Sequence, residues 1–469
     1  MRGRDALFPP FDDLNEAENA LTSRLNATRL RYADRKAVAK PPSSQWLHDL
    51  RAYEFDNSES LEDLIEWVIE ALDTGSVQMT HPGYLGLFNP APSFAAECAD
   101  RIASAFNPQI CVYSHAPAAV EIERHVINQM CRRAGLPAGS DGHFTSGGAE
   151  ANSTAVLCAL QAKCPAYSDN GLSEFAGQPT VYISKESHLA WLKIAQAAGL
   201  GRNAVRLVPT DGMGQMDVAA LEDAILTDLK SGCVPVLIVS TAGTTNAGMI
   251  DPLEPCADLA EQHGIWFHVD AAWGGALIAS EARRAVLKGL ERADSVTIDA
   301  HKWFATTMGA GMFLTSQPDI PAQAFRITAS YMPESQANKD FYVNSTQWSR
   351  RFVGLRLFLA LGAAGWKGYA EHVERSISLT DRLTETLTSA GWTHANRSPM
   401  GVTCLVPPDG HEAIQRYADA VHDDGRFWIS KAIFEGNSVL RACVTNGRTD
   451  DAVIDDLAKL LIEISNSPT

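Results

Sequence analysis

A chain of 469 residues with 45% hydrophobic and 20% charged residues has the make-up of a globular protein with one large domain and a smaller one attached, which excludes disordered, fibrous and small disulfide-stapled classes. The formal net charge of -17 repels phosphate backbones and anionic lipid with no basic patch to offset it, so small molecules are expected as partners, and neither nucleic acid nor membrane. Nine scattered cysteines without CxxC pairs, charged residues ahead of any apolar core at the N-terminus, and no apolar run near the ~20 residues of a bilayer span lead to the expectation of a cytoplasmic protein without a metal.

In chain order, the first ~75 residues read as helices. LNEAENALTSRL and LEDLIEWVIEALDTG carry apolar residues at three- and four-residue spacing, the second closed by Gly75, with PPSSQW between them. From His81 the texture turns to glycine and proline, then to short β-branched runs: TVYIS (180–184), AVRLV (204–208), VLIVST (236–241), IWFHVD (265–270), SVTID (295–299) and GMFLTS (311–316). Helical stretches such as MDVAALEDAILTDLK and DPLEPCADLAEQHG lie between several of them, the pattern of crossover units in a largely parallel sheet. After a long helical stretch from GLRLFLALG, the runs MGVTCLVP, FWISKAIF and SVLRACVTN with a last helix predict a small α/β domain. The expected division is a helical segment 1–78, a large domain 79–355 and a small domain 356–469.

Ligands of such sheets sit at the carboxyl ends of the strands, and four places there carry unusual chemistry. HFTSGGAEAN puts two glycines before a helix, a turn whose free N–H groups suit a phosphate, although a plain helix cap would look the same. His188, just after TVYIS, is either a structural histidine or a ring that stacks on a planar ligand and donates a hydrogen bond. Asp270 ends an apolar strand, where a carboxylate needs a cation, and its small neighbours Ala271, Ala272, Gly274 and Gly275 leave room for a flat ring with a protonated nitrogen. Lys302 follows a β-branched run and precedes Trp303 and Phe304; a desolvated lysine is a nucleophile able to form an imine with an aldehyde. Phosphate, flat ring, protonated ring nitrogen and aldehyde together describe pyridoxal 5'-phosphate, with Lys302 as its Schiff-base lysine.

The motifs TSGGAEAN, SHLAW, STAGTTNAGMIDPLEP, HVDAAWGG and DAHKW, in this order and spacing, resemble the group II pyridoxal-phosphate-dependent amino acid decarboxylases, which include the aromatic-L-amino-acid, glutamate, cysteine-sulfinate and histidine decarboxylases. The likeness runs from about His81 to the C-terminus, and the helical N-terminus resembles the family's dimer-forming segment more loosely. It implies the aspartate-aminotransferase-like fold (fold type I, α/β) and decarboxylation of an L-amino acid through an external aldimine and a quinonoid. A homodimer with the cofactor site at the interface is also implied. By the same resemblance Gly147, Gly148 and Ala149 form the phosphate turn, His188 stacks on the ring, Thr245 contacts the cofactor, and Asp270 meets the ring nitrogen. Ala272 lies beside the ring, His301 and Lys302 form the histidine-lysine pair, and Asp299 stands near the phosphate where relatives often carry asparagine.

Tyr331 matches the proton-donating tyrosine of the family's loop. Relatives lacking that tyrosine or the stacking histidine tend toward oxidative aldehyde formation, whereas this chain keeps both. The likeness also places Leu87, Phe88 and Asn89 near the substrate side chain, Gln109 and Cys111 in the neighbouring subunit's pocket, and Arg441 near the substrate carboxylate. Leu87 and Phe88 favour an apolar substrate, Asn89 and Gln109 a polar or acidic one. An aldehyde-forming decarboxylase, a C–C lyase and an aminotransferase share the cofactor site and stand as alternatives.

Overall fold

The computed structural model describes residues 1–2, 4–31, 35–327 and 340–466. Its centre is a seven-stranded sheet of β1 (Asp141–Thr145), β2 (Pro179–Ser184), β3 (Val205–Val208), β4 (Val234–Thr241), β5 (Trp266–Asp270), β6 (Ser295–Asp299) and β7 (Gly311–Thr315). The spatial order is β1-β7-β6-β5-β4-β2-β3, and β7 alone runs antiparallel to its neighbours. The six expected runs are all strands; β1 is an additional one, because DGHFT has too little β-branched character to declare itself.

Helices cover both faces of the sheet, so β5 and β6 are buried along their whole length, which explains their near-continuous apolar sequence. The crossover Leu253–His263 stops at Gly264, whose φ of 59° is the left-handed turn that feeds the chain into β5. Asp217 caps the helix Val218–Lys230 by accepting from the N–H groups of Ala219 and Ala220.

The small domain is a four-stranded antiparallel sheet of β8 (Thr393–His394), β9 (Val402–Val406), β10 (Ser430–Phe434) and β11 (Asn437–Cys443), in the order β10-β11-β9-β8. Helices Ile414–Asp424 and Asp451–Asn466 pack on it around Trp392, Tyr417, Val421, Leu457 and Leu461. The expected division at 355/356 falls at the start of a helix that serves both domains, Gly354–Ser389, broken at Gly365 (φ 64°, ψ 173°). Before the break Leu355 packs with Ala99 and Ala103 of the large domain; after it Leu379, Leu383 and Leu387 enter the small-domain core. Leu85 also joins that core, its N–H donating to Trp428 O at 2.8 Å.

The N-terminal helices Phe11–Leu30, Ser44–Arg51 and Leu61–Gly75 have no buried residue, although Trp46 and Trp67 stack at 5.2 Å. Among the described residues no helix is long and apolar enough to cross a membrane, and no group of three or more His, Cys, Asp or Glu could hold a metal ion.

Candidate active site

The carboxyl ends of β1, β2, β4, β5 and β6 open onto one cavity. Its wall is made by Gly148, Ala149 and Asn152 after β1, His188 and Ala190 after β2, Thr241, Gly243 and Thr245 from β4, Asp270, Ala272 and Trp273 from β5, and Asp299 and Lys302 from β6. Phe88 closes it from a distant loop, its ring 4.2 Å from that of Trp273.

Lys302 is held in a tight turn after β6, its N–H donating to Asp299 O at 3.1 Å, and the next residues, Trp303 and Phe304, are buried anchors. Its Nζ lies 3.1 Å from Asp299 Oδ2. Asp299 is 3% exposed, and its Oδ1 is buried without a hydrogen-bond partner. A carboxylate in that condition is costly unless a further donor arrives. Gly148 lies directly over it: a Cβ there would sit 3.0 Å from Asp299 Oδ2, whereas one on Gly147 would meet only His301 Cε1 at 3.6 Å. No side chain caps the helix Gly148–Lys163 at Gly147, and Gly148 and Ala149 of its first turn line the cavity.

Asp270 is buried and accepts three hydrogen bonds: Asn152 Nδ2 at 2.8 Å and Trp191 Nε1 at 3.3 Å on Oδ2, and the N–H of Ala272 at 3.2 Å on Oδ1. His188 accepts the N–H of Ala190 on Nδ1 at 3.2 Å, which leaves its proton on Nε2 when the ring is neutral. Burial pushes its pKa below 6.5, and the Lys302 charge adds to that against Asp270 and Asp299. His301 behaves similarly, lowered first by burial, with Nδ1 accepting from the N–H of Ala310 at 3.2 Å.

Of the residues expected from sequence, Lys302, His188, Asp270, Gly148, Ala149, Thr245, Ala272, Asp299 and Phe88 line this cavity, and Gly147 and His301 flank it. Arg441 stands behind Phe88, its guanidinium 5.1 Å from that ring, and donates to Gly86 O at 2.6 Å, Thr245 O at 2.5 Å and Ser430 Oγ at 3.0 Å. Leu87 is exposed, and Asn89 points its Nδ2 at Met308 Sδ, 3.4 Å away. Gln109 is exposed with its Oε1 accepting from the N–H groups of Cys111 and Arg350, while Cys111 is buried beside Tyr342 and Val343. Tyr331 lies outside the described residues. Asn152, Trp191 and Trp273 were not expected from sequence; all three stand inside the quoted motifs TSGGAEAN, SHLAW and HVDAAWGG, the first two three residues beyond Ala149 and His188 and the third directly after Ala272.

The sequence profile described as the pyridoxal-dependent decarboxylase conserved domain matches residues 45–395. The chain belongs to this family. Among its curated relatives, acidic amino acid decarboxylase GADL1 of Bos taurus is 33% identical over 66% of this chain, a match spanning 60% of that relative's own length. Aromatic-L-amino-acid decarboxylase of Bacillus atrophaeus is 26% identical over 87% of this chain and 86% of its own. The solved structure of mouse CSAD in apo form superposes with a TM-score of 0.88 at 26% identity, covering 97% of this chain and 100% of that one. Oryza sativa TDC with PLP and tryptamine superposes with a TM-score of 0.92 at 20% identity over 98% of both chains, a likeness of fold. The family's cofactor is pyridoxal phosphate, and the cavity fits it: an amine for its aldehyde, a triply donated carboxylate for its ring nitrogen and a glycine turn for its phosphate.

Proposed function

We propose that this protein decarboxylates an L-amino acid to the corresponding amine and carbon dioxide in the cavity at the ends of β1, β2, β4, β5 and β6. The observation that carries the reading is that Lys302, the amine, and Asp270, the hydrogen-bonded carboxylate, open onto one cavity with the aromatic wall of Phe88 and Trp273. Pyridoxal phosphate, when bound, supplies an electron sink for the pair released as the bond to the carboxylate breaks.

The chain's own residues do the rest. Lys302 holds the cofactor's aldehyde carbon, and Gly148 and Ala149 present backbone N–H groups to its phosphate. Asp270, its carboxylate oriented by Asn152, Trp191 and the N–H of Ala272, would face the ring nitrogen, where a negative charge favours a proton on that nitrogen. His188, neutral with its proton on Nε2, offers one donor at the cavity surface for a substrate oxygen. Phe88 and Trp273 exclude water beside the reacting carbon, and Arg441 braces Phe88 from behind.

We infer a homodimer: Phe8, Phe11, Phe55, Phe94 and Phe106 are 76%, 89%, 91%, 70% and 81% exposed, large apolar side chains that a second subunit would cover. Gln109, also exposed, would then face the partner's cavity. All nine cysteines are unpaired thiols, which supports a cytoplasmic setting.

The test is an assay of the protein with added cofactor against the proteinogenic L-amino acids, scoring carbon dioxide and amine together. Equal yields of both from one substrate are expected. A keto acid without carbon dioxide would make it an aminotransferase, and an aldehyde with ammonia an oxidative decarboxylase.

A further inference from the structure

Behind Asp270 the sheet carries a line of buried polar side chains that the reading above leaves unused. His268 is two residues before Asp270 on β5, on the same face of the strand, and is fully buried. Its Nδ1 is 2.8 Å from Ser295 Oγ on β6 and its Nε2 is 3.1 Å from Asn152 Oδ1. Trp266 Nε1 donates to Ser295 Oγ at 2.8 Å, and Thr297 Oγ1 donates to Asn152 Oδ1 at 2.7 Å.

The direction of every hydrogen in this line is set from the carboxylate end, and the indole end is compatible with it. An indole N–H can only donate, so Ser295 accepts from Trp266 and keeps one proton that it can give to His268 Nδ1. His268 then carries its own proton on Nε2 and gives it to Asn152 Oδ1. At the other end an ionised carboxylate can only accept, so Asn152 must turn its NH2 toward Asp270 Oδ2 and its oxygen toward His268. The two constraints agree. Burial pushes His268 down to about 4, so the neutral ring that the line requires is the one present near pH 7.

We propose that Asn152 and His268 are positioning residues: a one-way run of donors, from Trp266 through Ser295 and His268 to Asn152, holds the Asp270 carboxylate as a fixed acceptor for the cofactor's ring nitrogen. This rests on the cavity being the pyridoxal-phosphate site. Asn152 reaches the cavity wall beside Asp270, whereas Trp266, Ser295 and His268 stand behind it and act only through Asn152 and Asp270. Flipping any member would set two donors or two acceptors face to face in a dry interior, so the line holds the carboxylate's orientation more firmly than Asn152 alone could.

A cofactor that differs only at the ring nitrogen reads this out. The apo protein is titrated with pyridoxal phosphate and with its 1-deaza analogue, in which that nitrogen is C–H, and the ratio of the two dissociation constants is compared between variants. The parent is expected to favour pyridoxal phosphate, and Asn152→Ala to lose about 10- to 100-fold of that preference, the worth of a charge-assisted hydrogen bond. Since Asn152→Ala empties a buried position, a second pair tests the next link: His268→Gln keeps an N–H toward Asn152 and should hold the parent's ratio, whereas His268→Leu should lose it. If Asn152→Ala weakens both cofactors by the same factor, or if His268→Gln and His268→Leu have the same ratio, the residues merely pack and the inference falls. A parent that binds both cofactors equally would overturn the role of Asp270 itself, and with it the reading on which the inference rests.

Discussion

Lys302 Nζ lies 3.1 Å from the carboxylate of Asp299, three residues before it, and that carboxylate also lies under the first turn of the helix Gly148–Lys163. The cavity therefore pairs its amine with an anion at the place where a phosphate would be received. The two roles of Asp299 oppose each other: it holds Lys302 in the cavity and repels a second anion.

Asp299→Asn separates those roles. It removes a buried negative charge beside the Gly148 turn while keeping an oxygen for Lys302, so binding of a phosphate-bearing ligand should tighten by roughly 3- to 10-fold, the effect of about 1 kcal/mol of relieved repulsion. The measurement is equilibrium dialysis with 4'-deoxypyridoxine 5'-phosphate, which lacks the aldehyde and so reports the phosphate and ring contacts without Lys302 bond formation. Weaker binding in the variant would assign Asp299 to Lys302 alone.

Gly148 and Gly147 should respond unequally to the same change. Gly148→Ala pushes a methyl to 3.0 Å from the buried Asp299 carboxylate, which Lys302 holds in place, and cofactor affinity should fall at least about 10-fold. Gly147→Ala meets only His301 Cε1 at 3.6 Å, an ordinary contact, and should stay within about 3-fold of the parent. Titration of both apo variants with pyridoxal phosphate, alongside circular dichroism to confirm folding, distinguishes this from a turn in which any two glycines serve alike.

How much of this was legible in sequence depended on how local each signal was. Asp270 declared itself because an ionisable residue closing an apolar strand breaks the local pattern, and Lys302 because it stands between such a strand and two aromatic residues; the sheet rule then placed both at one edge. Asn152 did not, since a polar residue one turn into a helix looks like solvent exposure, and only the fold turns that face toward β5. His268 was within reach: period-two alternation puts it on the same side as Asp270. The stack of Phe88 on Trp273 joins segments far apart in the chain and has no local signature. Neither had the sharing of the helix Gly354–Ser389 between domains, because a helical period continues through Gly365 while the backbone breaks there.

Two buried histidines give the protein an acid-labile core. Burial drives His143 from 6.5 down to about 3 and His268 from 6.5 down to about 4. Because both folded values lie below the unfolded one, the stability they contribute is present above pH 6.5 and is lost as pH falls, when the unfolded chain takes up protons that the native state refuses. Asp251 works in the opposite sense, its carboxyl raised to about 7 by burial, so a difference measurement is needed. Between pH 6 and pH 4 the parent should lose roughly 1 kcal/mol per pH unit relative to His143→Phe in urea unfolding. Parallel curves for the two proteins would mean that His143 titrates alike in both states.

The most direct test of the account is borohydride reduction of the pyridoxal-phosphate-loaded protein, followed by intact-mass and peptide mass spectrometry on the parent and on Lys302→Ala. The account predicts that the parent gains the mass of one reduced cofactor per chain, on the peptide containing Lys302, while Lys302→Ala folds normally and gains none. An adduct on another lysine in the parent, or an undiminished adduct in Lys302→Ala, would contradict it.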